Sequence, residues 1–198
     1  MVRKFLRWHG PSRRLLIWTM AAACCLAGMA ITVMSAPADA AEIAGTERAV
    51  KAAFLYKFLG YVEYPAALMA PDAPYVIGVA EADDVAAELV RITAGRNLNN
   101  RAVQVRVMHN GDSVAGLHLL FIGGDSAHAA AWLKAGGQAG ILSVTELAGG
   151  LPAGSVINFR LIDNRVRFEV SLDAAEKNNL KLSSRLLSVA YAVQKGGS

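Results

Sequence analysis

Gly123-Gly124-Asp125-Ser126 is the stretch of this chain best placed to do chemistry. It follows an apolar run and opens a helical pattern, where free backbone amides can hold a phosphate. The spacing matches neither G-x-G-x-x-G nor a P-loop, and no lysine follows, so the segment reads as a turn in which Asp125 or Ser126 caps the helix. A metal site would draw on His109, His118 and His128, but intervals of nine and ten put no two of them on one face of an element. His118, inside an apolar run, reads as a satisfied, partly buried imidazole. Asp125, Ser126 and His128 contain the residue types of a hydrolase. Neighbours on one helical turn, however, cannot adopt the nucleophile, base and orienter geometry, and the G-x-S-x-G elbow is missing. Asp83-Asp84, Glu169 and Asp173 read as helix starts and solvated faces rather than an acid/base pair. The expectation is therefore a non-enzyme with no catalytic, metal or cofactor residues.

The aromatic segment Tyr56, Phe58, Tyr61 and Tyr64, close to Pro65, holds more rings than one helix stripe needs. Two readings stay open: surface tyrosines that anchor a partner, or rings packed under the first helix with hydroxyls at the rim.

The first 40 residues explain the basic composition. Arg3, Lys4, Arg7, Arg13 and Arg14 precede an apolar run from Leu15 to Val33, and Ala38-Asp39-Ala40 follows as a small-residue cleavage site. That order is an export signal, with cleavage expected after Ala40 and one domain over 41–198. An uncleaved membrane anchor is the competing reading, and Arg13-Arg14 lacks the rest of a twin-arginine motif. The signal holds five of the 20 basic residues and one of the 16 acidic ones, so the remainder is balanced in charge. A balanced domain lacks the electrostatic footprint of nucleic-acid binding and gives no attraction to an anionic membrane. Both cysteines, Cys24 and Cys25, fall in the signal, which leaves the domain to fold on its core alone, without a disulfide or reactive thiol.

A helix is expected from Thr46, with Val50, Phe54, Phe58 and Tyr61 as its apolar stripe and Pro65 as its stop. Apolar runs at Tyr75–Ala80, Val103–Met108, Leu117–Ile122 and Gly140–Val144 alternate with helical patterns at Asp83–Ile92 and Ser126–Ala135. Alternation of this kind predicts βαβ units around a largely parallel sheet. Val156–Ile162 and Arg165–Val170 bracket Asp163-Asn164 as a β-hairpin expected to form the antiparallel edge, with Arg165, Arg167 and Glu169 on a solvated face. Leu182, Leu186, Val189, Ala190 and Val193 predict a last helix docked on the sheet. The fold class is thus α/β: a three-layer sandwich with a largely parallel central sheet, a C-terminal antiparallel β-hairpin and helices on both faces.

Particular stretches resemble a known family. Ala49-Val50-Lys51-Ala52-Ala53-Phe54-Leu55-Tyr56-Lys57-Phe58 and Tyr61-Val62-Glu63-Tyr64-Pro65 resemble the opening of YfiR-type periplasmic proteins. Val166-Arg167-Phe168-Glu169-Val170 and Leu180-Lys181-Leu182-Ser183-Ser184-Arg185-Leu186-Leu187 resemble their closing block, and Leu119-Leu120-Phe121-Ile122 and Ile141-Leu142-Ser143-Val144 their middle strands. The resemblance implies a periplasmic repressor that binds the periplasmic sensor region of an inner-membrane diguanylate cyclase and lowers cyclic di-GMP, with a homodimer as a further implication. YfiR proteins can carry cysteines whose oxidation affects folding and control, and 41–198 has none, which excludes disulfide sensing here. The surface near Tyr61, Glu63 and Tyr64 is the expected partner contact. Two rival readings remain: a small-ligand-binding or sensor-accessory protein of another membrane signalling system, using a crevice where the loops after Ile122 and Val144 converge, or a hydrolase at the Asp125–His128 turn.

Overall fold

The computed structural model describes residues 38–70, 73–124, 127–147, 151 and 154–195. The expected export signal, save its last three residues, lies outside them, as do Asp125, Ser126 and Gly149-Gly150. Ala38–Ser198 form one compact unit.

The first helix, α1, runs Ala38–Phe58 and so begins before Thr46, which sits inside it rather than capping it. One glycine, Gly45, costs about 1 kcal/mol against alanine, too little to break a helix primed by the alanine-rich stretch before it. Beyond Phe58 the chain tightens into a 3₁₀ turn, Leu59–Tyr61, and then extends as β1, Val62–Glu63. Tyr61 therefore leaves the helical stripe. The elements that follow are β2 (Tyr75–Ala80), α2 (Asp83–Thr93), β3 (Asn97–Leu98), β4 (Arg101–Met108), β5 (Leu119–Ile122), α3 (Ala129–Gln138), β6 (Leu142–Thr145), β7 (Ile157–Ile162), β8 (Arg165–Ser171), α4 (Leu172–Lys177), β9 (Lys181–Leu182), α5 (Ser184–Val189) and β10 (Ala192–Gln194).

Eight strands form one sheet in the order β10-β8-β7-β6-β5-β2-β4-β3. The five central strands from β4 to β7 are mutually parallel. The chain passes from β2 to β4 on one side and then returns to β5 on the other, a doubly wound order whose direction switches between β2 and β5. Both faces are covered. Ile77, Val79, Leu119, Phe121, Leu142 and Val144 point into one core beneath α1 and α2, while Leu120, Ile122 and Met108 pack against Trp132 and Leu133 of α3. The mixed α/β sandwich predicted from the strand and helix alternation is thus present.

The hairpin closes as expected, with Asp163 and Asn164 both at positive φ (49° and 57°), the geometry of a two-residue turn that suits the twist of the strands. A second hairpin, β3 with β4, turns on Asn99 and Asn100 with φ of 49° and 62°. Three expectations fail. Glu169 is buried, not solvated, and its Oε1 accepts from Arg160 Nη1 at 3.4 Å. β8 is not the edge, because β10 adds outside it in parallel, Ala192 opposite Glu169. The last helix is short: Ser183 accepts from the Leu186 amide and starts α5, but the backbone at Ala190 is extended, so Val189 and Val193 lie exposed and only Leu186 is buried.

Phe54 and Phe58 of α1 cluster with Phe159 and Phe168 of the hairpin, the Phe58 and Phe168 rings meeting edge to face with centroids 5.0 Å apart. Phe58 is only 2 % exposed. Phe58→Ala should lower the unfolding free energy by about 3–5 kcal/mol, measured by urea denaturation.

Candidate functional site

Three places on the domain present functional groups, and the two-residue strand β1 holds the first. It pairs antiparallel with β9, Val62 opposite Leu182 and Glu63 opposite Lys181. The Ser183 amide extends the ladder by donating to the Tyr61 carbonyl at 2.9 Å. Alternation along β1 buries Val62 and exposes Glu63, whose carboxylate lies 3.6 Å from the equally exposed Lys181 ammonium. Tyr61 is half-buried at the margin of the main core.

Tyr64 turns its hydroxyl inward. The oxygen is buried with no hydrogen-bond partner among the described residues, and burial, with a smaller contribution from Tyr75, pushes its ionisation above the ordinary phenol range. Its ring meets the His118 imidazole edge to face at 5.5 Å, and Tyr75 meets the same imidazole at 5.1 Å. Arg101 lies 4.5 Å above the Tyr75 ring and bonds the carbonyls of Ala73 and Ala70, tying down the chain after Pro65. The Tyr64 hydroxyl thus points into the fold rather than to the rim.

The second place lies outside the carboxyl ends of the parallel strands. The loops that follow β5 and β6 meet there, since the Gly124 amide donates to Glu146 Oε1 at 2.7 Å. Glu146 also pairs with Lys51 of α1, and Lys51 bonds Glu47 at 2.5 Å. Burial on its own would lower the lysine's pKa, but the hydrogen bonds and charges of Glu146 and Glu47 outweigh it and hold the ammonium above its ordinary 10.5. A cavity of about 360 Å³ opens beside this cluster, flanked by Phe159 and Arg160. The exposed amide that could have held a phosphate instead holds the chain's own carboxylate.

At the switch between β2 and β5 the backbone is crowded. A Cβ on Gly123 would fall 2.7 Å from the Glu81 carbonyl oxygen, and Glu81 itself sits at φ 57°. Its carboxylate lies 3.2 Å from His128 Nδ1. α3 starts at Ala129 rather than Ser126, with no side-chain cap from His128. Among the described residues no three His, Cys, Asp or Glu side chains are grouped to hold a metal ion. The third place is a groove of about 640 Å³ between the first turns of α1 and the β7–β8 hairpin, with Ile43, Val50 and Val166 as its apolar lining and Glu42, Arg165 and Arg167 around it.

Lys51→Met should cost about 1–3 kcal/mol in denaturant unfolding, because Glu47 and Glu146 would then face each other without their cation. The pH dependence has a definite sign. A raised lysine contributes its stability below pH 10.5 and loses it as the pH climbs through the raised value, so the wild type's advantage over the variant should vanish at strongly alkaline pH.

Compared with known proteins, the chain matches no curated relative. A family model described as YfiR/HmsC-like does match, over residues 48–191, which takes in the folded unit from the middle of α1 to the start of β10. The chain belongs to the YfiR/HmsC-like family.

Proposed function

We propose that residues 1–40 export this protein, and that the domain beginning at residue 41 represses a membrane-bound diguanylate cyclase by gripping its periplasmic sensor region. Cyclic di-GMP then falls inside the cell. At the level of the family, the role is regulation of diguanylate cyclase signalling from the periplasm rather than catalysis. Among the described residues no helix is long and apolar enough to cross a membrane.

One observation carries the reading: the family match spans both covered faces of the sheet and both strands of the β1–β9 ribbon, so it concerns the whole fold rather than a motif. A binder of this kind works by differential affinity, shifting its partner toward whichever state it holds more tightly. The contact surface in this reading is the β1–β9 ribbon. Glu63 and Lys181 supply an exposed charged rim, Tyr61 the half-buried aromatic contact, and Tyr64 fixes the strand from beneath. A homodimer is part of the same proposal. The small-ligand alternative draws its support from the crevice beside Lys51 and Glu146, where the loops after β5 and β6 meet.

The tagged domain, used as bait against solubilised membranes, should retain a protein that has both a periplasmic sensor and a cyclase domain. Glu63→Gln should weaken that association about fivefold or more while leaving the melting temperature unchanged, because an exposed pair contributes little to folding. Recovery of no such cyclase would sink the proposal.

A further inference from the structure

Among the described histidines His118 is the buried one, and its two ring nitrogens are committed to opposite roles. The Val76 backbone amide points at Nδ1, at 3.2 Å. An amide can only donate, so Nδ1 must accept. The Leu68 carbonyl lies 2.9 Å from Nε2. A carbonyl can only accept, so Nε2 must hold the proton. The surroundings thus select a single neutral tautomer.

A second proton would have to go on Nδ1, where it would face another N–H at hydrogen-bond distance. Among the described residues the groups around the ring give that charge no help. Tyr64 from the β1 segment and Tyr75 from β2 present aromatic rings, the 66–68 turn presents the Leu68 carbonyl already in use, and β4 brings the Arg101 guanidinium, itself a cation. Burial first, and then Arg101, pull the imidazole below its ordinary 6.5 in spite of the Leu68 bond. No carboxylate among the described residues contributes to its charge environment. Asp72 lies outside those residues, and Glu63 is on the solvent side beside Lys181.

The other two described histidines lie at the surface, His109 3.7 Å from Asp112 and His128 3.2 Å from Glu81. The buried ring of His118 pins one segment. His118 touches Tyr64 and Leu68 in the chain that follows β1 and, on its other side, the Val76 amide of β2. β1 itself is held by only two residue pairs. A short ribbon on the outside of a packed sheet can open while the sheet stays closed.

We propose that His118 makes the β1 contact strand acid-labile: acidification opens the segment between Tyr61 and Ala70 and releases whatever that strand grips. Release of a cyclase rests on the repressor reading above; the opening itself does not. The sign follows from linkage. A group whose folded pKa is depressed stabilises the closed form above its ordinary value and loses that contribution as the pH falls toward the folded value. Between those two values the opening equilibrium should rise roughly tenfold per pH unit, since one proton is taken up.

The test is amide hydrogen exchange on the exported domain at about pH 7.5 and about pH 5, corrected for intrinsic exchange rates. Peptides covering 61–70 should gain exchange at the lower pH, while those from β5 and β6 should not. His118→Gln cannot titrate and should abolish the difference. Should that variant fail to fold, the nitrogen shifts of the wild-type imidazole decide the matter: a proton on Nε2 and a titration below the ordinary range support the proposal, whereas a proton on Nδ1 or a normal titration refutes it. Equal exchange at both pH values overturns the inference whatever the partner is. The membrane capture, run at the same two pH values, separates the two claims. Retention of the cyclase at the higher pH and its loss at the lower supports both, and failure to capture it at either pH, with exchange still acid-dependent, removes the repressor reading and leaves the acid-labile strand standing.

Discussion

A parallel sheet that must be dry on both faces is the constraint from which the rest of this domain follows. β5 and β6 are buried along their whole length and β2 nearly so, and such strands are stable only when both faces are covered. That requirement places α1 and α2 on one face and α3 on the other. It also fixes what is left over. The carboxyl ends of the strands form a crevice, the two sheet edges fall to the short strands β10 and β3, and the stretch between α1 and β2 has to run outside the sheet as a small ribbon with β9. The chain's two cysteines lie at 24 and 25, so from residue 26 onward no disulfide supports this arrangement. The aromatic stack of Phe54, Phe58, Phe159 and Phe168 cements α1 to the hairpin in its place.

The same constraint sorts the polar groups. Those at the strand ends satisfy one another, as Lys51, Glu47, Glu146 and the Gly124 amide do. Asn158, fully buried, holds the loop after β6 through the Leu147 amide and carbonyl and the Thr145 hydroxyl. The ribbon is different: it carries an exposed ion pair on its outer face and stands on an imidazole and two phenols. A surface strand with a titratable pin beneath it can be firm under one condition and loose under another, which suits a regulator better than a rigid scaffold.

Much of the central fold was legible because its signals are local. The apolar run Tyr75–Ala80 and the hairpin turn Asp163-Asn164 were readable to the residue, since β-branched continuity and positive-φ tolerance leave few alternatives. The Asn99-Asn100 turn offered the same signal and went unread because β3 is only two residues long. Failures came where tertiary pairing overrides local pattern. Val189 and Val193 recur at helical spacing, yet Val193 is taken into a strand by β8. Arg165, Arg167 and Glu169 alternate cleanly, yet Glu169, flanked by β7 and β10, is buried and bonded by Arg160. Of the residues proposed for partner contact, sequence could place Tyr61, Glu63 and Tyr64 together. It could not show that Tyr64 faces inward onto His118, because those residues meet only across the folded sheet.

Repression of a diguanylate cyclase by this domain, as proposed, should register first in intracellular cyclic di-GMP. Removing the gene should raise the nucleotide, and restoring the wild-type chain with its export segment should bring it back down. An unchanged level after removal would contradict the account.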